Sequence, residues 1–106
     1  MDVWITCKVY IKTREGKPRQ AYVVLHGSLG ALEPRSNVVL SLRHPNGTVI
    51  QVPGRVVRRR SNKSLEIYIP VDAAMTLAVW AGAKVEGNTV IYNYAAQIKE
   101  VRPPTA

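Results

Sequence analysis

Two stretches of the chain decide its reading: IKTREGKPRQAYVVL, Ile11–Leu25, and VRRRSNKSLEIYIPV, Val57–Val71. They align without a gap at an offset of 46 residues. Ile11 falls on Val57, Lys12 on Arg58, Arg14 on Arg60, Gly16 on Asn62 and Lys17 on Lys63. Ala21 then falls on Ile67, Tyr22 on Tyr68, Val23 on Ile69 and Leu25 on Val71. Gly16 and Asn62 both tolerate the left-handed backbone of a tight turn. Each stretch therefore reads as a β-hairpin with a basic tip.

The flanking sequence extends both units. Val3–Lys12 and Gln20–Leu25 are strands around the turn Thr13–Pro18, with Ala21, Val23 and Leu25 on one face. A short helical turn is expected near residues 27–33. Asn37–Arg43 and Thr48–Val52 flank Asn46-Gly47, the strongest short-range hairpin signal. In the second unit, Arg55–Arg59 and Leu65–Ile69 are strands, and Pro70 stops the sheet because it has no amide hydrogen. Asp72–Trp80 is the best helix, with Asp72 as N-cap, Ala74, Leu77 and Ala78 as an inward stripe and Gly82 as the stop. Lys84–Val85 and Thr89–Ile98 read as strands, and residues 99–106 as an extended tail. Thr48-Val49-Ile50 falls on Thr89-Val90-Ile91 at an offset of 41, so the first unit is longer in its middle.

Two such units, 9–52 and 55–98, can share one core and hide each other's edges. The expected fold is a mostly β single domain over residues 1–106. It is a small barrel of two halves related by an approximate two-fold, each a strand hairpin, short helix and second hairpin. With 106 residues and 46% hydrophobic content the chain can bury such a core without staples. No apolar run approaches the roughly 20 residues of a membrane-spanning helix. The start, Met1-Asp2-Val3-Trp4, has neither a basic n-region nor a cleavage site, so the expected compartment is the cytoplasm.

Charge is unevenly spread. Lys and Arg total 15 against 7 acids, a net +8. Residues 1–65 hold 12 of the basic residues and 3 of the acids, so the second part of the chain is near neutral. Lys12, Arg14, Lys17 and Arg19 form one run, and Arg55, Arg58, Arg59, Arg60 and Lys63 another. Too few acids lie nearby to neutralise them. Clustered cations attract polyanions, and Arg pairs bidentately with phosphate, so nucleic acid is the expected partner. Tyr10, Tyr22 and Tyr68 share strand parity with polar neighbours, which makes them candidates for base stacking or for covering the barrel rim.

The residues of catalysis are scarce. No H-E-x-x-H, C-x-x-C, P-loop or G-x-S-x-G motif occurs. Cys7, the single cysteine, shares parity with Ile5 and Val9 and is expected in the core. His26 and His44 sit beside Gly27 and Pro45 as loop histidines, too few for a closed zinc site. No enzyme, metal or cofactor is expected.

The second unit resembles the AbrB/SpoVT/MazE family of swapped-hairpin DNA-binding domains. The resemblance rests on Ile67-Tyr68-Ile69-Pro70, Leu77, Gly82 and Val85. It covers residues 55–98 moderately and 9–52 weakly, where Val24 stands in place of the proline and Arg35-Ser36 in place of the glycine. Ala73, Ala74 and Met75 occupy the usual charged helix positions. A tandem pair, as in MraZ-type proteins, would make the family's dimer within one chain. A double-psi β-barrel is the alternative topology. The resemblance implies a transcription regulator or architectural protein that binds DNA through two basic hairpins on one side of the barrel. An RNA- or ribonucleoprotein-associated module is the alternative. A protein-interaction module, antitoxin or adaptor, is another, although the tail is short for a toxin-wrapping segment. The family's habit of dimerising makes a homo-oligomer a further expectation that the resemblance allows.

Overall fold

A computed structural model describes residues 3–26, 32–60 and 64–102, with only the backbone at 58–60. Chain order is β1 (Ile5–Arg14), β2 (Lys17–His26), β3 (Asn37–Arg43), β4 (Val49–Arg60), β5 (Ser64–Ile69), α1 (Val71–Trp80) and β6 (Thr89–Arg102). The strands close into a barrel in the order β1-β2-β5-β4-β3-β6, with every pairing antiparallel. Closure leaves no free edge among these strands. The expected mostly β barrel is therefore what forms.

Alternation sets the core. Cys7, Val9 and Ile11 of β1 meet Val23 and Leu25 of β2, Leu65 and Ile67 of β5, Val52 and Val56 of β4, and Leu40 and Leu42 of β3. All are essentially closed to solvent. The helix adds Ala74, Leu77 and Ala78 to the same cluster, the stripe expected from the sequence. Asp72 does not cap it. Pro70, extended at φ −60° and ψ 139°, is the N-cap, and Asp72 lies in the first turn. At the other end Gly82 takes φ +66°, its amide donates to Val79 O, and the Ala83 amide donates to Ala78 O. That is a Schellman stop, which favours glycine at its left-handed position.

The hairpin repeat survives in the register of β2 against β5. Ala21 pairs with Ile69 and Val23 with Ile67, and the 46-residue offset converts one pair into the other. Tyr22 faces its own counterpart, Tyr68. A local two-fold axis therefore crosses the sheet between these tyrosines. Lys12 opposite Gln20 likewise matches Arg58 opposite Glu66. The strand order keeps the symmetry, since exchanging β1 with β4, β2 with β5 and β3 with β6 leaves the ring unchanged, but the match of Thr48–Ile50 to Thr89–Ile91 is not kept, because Val49 opens β4 and β6 takes the place of β3.

Four expectations are corrected. Pro53-Gly54 does not divide two strands, because β4 runs unbroken from Val49 to Arg60. Pro53 is exposed, and Gly54 turns its missing side chain toward Ile67 and Val38. Lys84–Val85 forms no strand, since the chain leaving Gly82 packs Ala83 and Val85 on the core without pairing. Residues 99–102 are not tail. They continue β6, with Glu100 opposite Val39 and Arg102 opposite Asn37. Finally, Leu32 and Glu33 are not helical, and the rest of the expected short helix, 27–31, lies outside the described residues.

β6 also carries a bulge. Cys7 faces Tyr94 while Val9 faces Ile91, so β6 spends one residue more than β1. Asn93 absorbs it at φ 72°. The extra residue brings both Ile91 and Tyr94 into the interior.

Candidate nucleic-acid interface

The first basic run surrounds a two-residue turn. Arg14 ends β1 opposite Lys17, which starts β2, and Glu15 and Gly16 turn between them at φ 55° and 75°. Lys12, Arg14, Lys17 and Arg19 are all exposed. None has an ion-pair partner among the described residues. The ion pairs there lie elsewhere, Lys84 with Glu86 at 3.0 Å and Arg102 with Glu100 at 2.7 Å. Glu15 lines a groove with Arg14 and Arg19 but pairs with neither. Unpaired cations stay available to an external anion.

A cleft of about 490 Å³ opens beside this turn, lined by Lys12, Thr13, Arg14, Arg19, Gln20 and Asn88. Asn88 comes from the turn before β6, 75 positions away in sequence, and its Oδ1 accepts the Thr13 amide at 3.1 Å. The Thr13 hydroxyl is enclosed and has no partner among the described residues.

The second basic run occupies the far end of the sheet. Arg58, Arg59 and Arg60 take register positions opposite Glu66, Leu65 and Ser64. Lys63 and the side chains of the three arginines lie outside the described residues. Ser64 pairs with His26, the last residue of β2, whereas the first tip adjoins Lys17, the first residue of β2. The two hairpins thus flank one seam, with Arg14 and Lys17 at one end of it and Arg60 and Ser64 at the other. β2 has ten residues, so the ends are roughly 30 Å apart at about 3.3 Å per residue.

Between them the three tyrosines form one transverse row. Tyr10 stacks on Tyr22, with centroids 4.9 Å apart and planes within 7°. Tyr68 leans on Tyr22 at 6.2 Å. Lys12 Nζ sits 5.7 Å from the Tyr22 centroid. Tyr22 is only 6% exposed, so its ring is covered by this row, while Tyr10 and Tyr68 remain half-buried. Exposed Arg55 stands opposite Tyr68 and continues the row onto β4.

Sequence reasoning overlooked several of these residues. Asn88 offered no signal, because only the barrel closure brings it to Thr13. Lys8 lies 5.5 Å from the Tyr92 ring and Arg43 only 4.3 Å from Trp4, contacts between residues that alternation alone would have scattered. Asn93 was a readable clue, since Asn inside a strand tolerates the left-handed conformation a bulge needs.

Chemistry elsewhere is muted. Cys7 is 1% exposed, and burial pushes its thiol up to about 12, so it is not a thiolate at neutral pH. Tyr94 is fully enclosed and donates its hydroxyl to Leu77 O at 2.6 Å, tying the helix to β6. Burial first, then the neighbouring Cys7, raises its phenol to about 12. His44 packs edge-on to Tyr94, and its Nδ1 accepts the Asn46 amide. His26 is exposed. Among the described residues no three His, Cys, Asp or Glu side chains gather as a metal site, and no helix is long and apolar enough to cross a membrane. The chain was compared with protein-family models, with curated proteins and with solved structures, and it matches none of them.

Proposed function

We propose that this chain is a small DNA-binding protein, an AbrB-like transcription regulator or architectural protein, that grips the phosphate backbone with its two basic hairpins. One observation carries the reading: Lys12, Arg14, Lys17 and Arg19 crowd one end of the barrel, exposed and without acidic partners among the described residues. Cations held together without neutralisation raise the local potential, and a polyanion relieves it by releasing its condensed counterions. The separation of the basic ends favours a duplex. Roughly 30 Å along β2 approaches the ~34 Å of one B-DNA turn. The local two-fold between Tyr22 and Tyr68 also matches the dyads of a duplex. In this reading Lys12, Arg14, Lys17, Arg19 and Lys63 set register on phosphates, and Arg58, Arg59 and Arg60 are the candidates for base edges.

Single-stranded RNA is the second reading, favoured by the partly open Tyr10 and Tyr68 rings beside Lys12 and Arg55. Titration with equal-length duplex DNA, single-stranded DNA and RNA at two salt concentrations separates the two. Tightest binding to the duplex, weakening steeply with salt, is the expected result. Tighter binding to single strands would replace the first reading with the second, and no binding to any would discard both.

A further inference from the structure

The cleft beside the first hairpin has the chemistry of an anion site. Three of its six lining residues, Lys12, Arg14 and Arg19, are cations, and no acid lines it. Two of the neutral residues are set to donate. Asn88 has committed its Oδ1 to the Thr13 amide, which fixes the orientation of the carboxamide and leaves its NH2 group unused among the described residues. Gln20 makes no side-chain hydrogen bond among the described residues, so its amide is also available. The Thr13 hydroxyl has no hydrogen-bond partner among the described residues and is enclosed, so it takes no part in the cleft. Two uncommitted carboxamide donors beside three exposed cations match a ligand rich in acceptor oxygens.

The sequence does not repeat this set of residues. The 46-residue offset would set Arg58, Arg59, Arg60, Leu65 and Glu66 in the equivalent positions, with an acid and a leucine in place of Gln20 and Arg19. The two basic ends are therefore chemically unequal.

We infer that this cleft is a discrete binding site for a single phosphoryl group, with Asn88 as its orienting donor and Lys12, Arg14 and Arg19 as its charge. The inference rests on the nucleic-acid reading in that a backbone phosphodiester is the natural source of that group. A free phosphate ester would satisfy the same donors. The cations give attraction. The carboxamide held by the Thr13 amide gives position, so the first end of the barrel anchors one phosphate.

Amide NMR at constant ionic strength tests it, with two probes. Inorganic phosphate is titrated first, then a duplex lacking terminal phosphates. The expected result is a saturable shift of the Thr13 backbone amide and the Asn88 side-chain amide with each probe, the two competing. Asn88→Asp keeps the acceptor for the Thr13 amide but turns the donor into a negative charge, so the fold is retained and phosphate affinity falls at least tenfold. Arg19→Gln, at an exposed position, provides a second loss-of-affinity variant. Thr13→Val should leave stability unchanged or raised, because it removes an enclosed hydroxyl with no partner among the described residues. Shifts that never saturate, or an Asn88→Asp variant that binds phosphate as the parent does, would overturn the inference. If phosphate fails while the duplex still binds with a steep salt dependence, the inference falls alone. If the duplex fails while phosphate saturates, the site stands for a free phosphate ester and the nucleic-acid reading falls.

Discussion

Gly54 is the position where a single methyl group should hurt most. An added Cβ would lie 2.7 Å from Ile67 Cγ2, 3.1 Å from Val38 Cγ2 and 3.4 Å from Tyr68 O. Carbon pairs rest comfortably at about 3.5–4.0 Å, so two of these contacts are too close. Neither neighbour can retreat easily. Ile67 is 0% and Val38 3% exposed, and both are β-branched side chains with few χ1 choices. Overpacking of this kind costs about 1–3 kcal/mol. Replacing glycine also stiffens the unfolded chain, which returns about 0.4–1 kcal/mol. With a 2.7 Å contact against neighbours that cannot retreat, the overpacking falls in the upper part of that range, about 2–3 kcal/mol, so the expected net loss for Gly54→Ala is about 1–2.5 kcal/mol, or roughly 4–20 °C in Tm for a domain of this size. Equilibrium urea unfolding followed by circular dichroism measures it, with the midpoint falling and the slope unchanged. A companion variant isolates the cause. Ile67→Leu removes the offending branch at little change in volume, so the double variant should cost less than the two single changes added, by at least about 0.5 kcal/mol. If Gly54→Ala matches the parent within about 0.5 kcal/mol, or the double variant is strictly additive, the close approach of β4 to β5 and β3 is wrong.

Tyr94→Phe removes the 2.6 Å bond to Leu77 O and should cost about 1 kcal/mol by urea unfolding. The loss is moderated because Leu77 O keeps the Ala81 amide. Stability should decline as pH rises from about 9 toward 12, because the unfolded chain releases the Cys7 and Tyr94 protons that the folded chain retains up to about 12. Unfolding curves across that range check the sign, and a Cys7→Ala, Tyr94→Phe double variant should flatten the decline. Glu15→Asn should stabilise the first hairpin by a few tenths of a kcal/mol, since Asn accepts φ 55° more readily than Glu, measurable as a rise in urea midpoint.

The barrel was legible where local chemistry and global packing agree. Alternation in β1, β2 and β3 turned one face of each strand to the core, and the gap-free repeat anticipated the symmetric β2–β5 seam. Pro70 and Gly82 marked the helix because one lacks an amide hydrogen and the other tolerates positive φ. The reading failed where a local breaker serves a tertiary purpose. Pro53-Gly54 looks like a turn, yet an exposed proline is tolerated in this strand, and only glycine lets it pass Ile67 and Val38. Tyr94 gave no local signal, since its inward position depends on one extra residue in β6 rather than on parity. The cationic half of the candidate site was visible as charge runs. Asn88 was not, because its contact with Thr13 exists only once β6 closes on β1. Nor was the covering of Tyr22, which depends on register between β1, β2 and β5.

If the cations around the first hairpin hold phosphates, they set the salt dependence of duplex binding. Duplex DNA affinity is followed against salt for the parent and two triple variants. One is Lys12→Gln, Arg14→Gln, Arg19→Gln. The other is Lys84→Gln, Lys99→Gln, Arg102→Gln, which removes equal charge from side chains already engaged with Glu86, Gln97 and Glu100. Each phosphate neutralised contributes about −0.9 to the slope of log affinity against log salt. The hairpin triple should reduce the slope by about 2.7, and the control triple by less than about 0.9. Equal losses in the two variants would mean that the charge acts only as a diffuse field, and no loss in either would mean that the hairpin holds no phosphate.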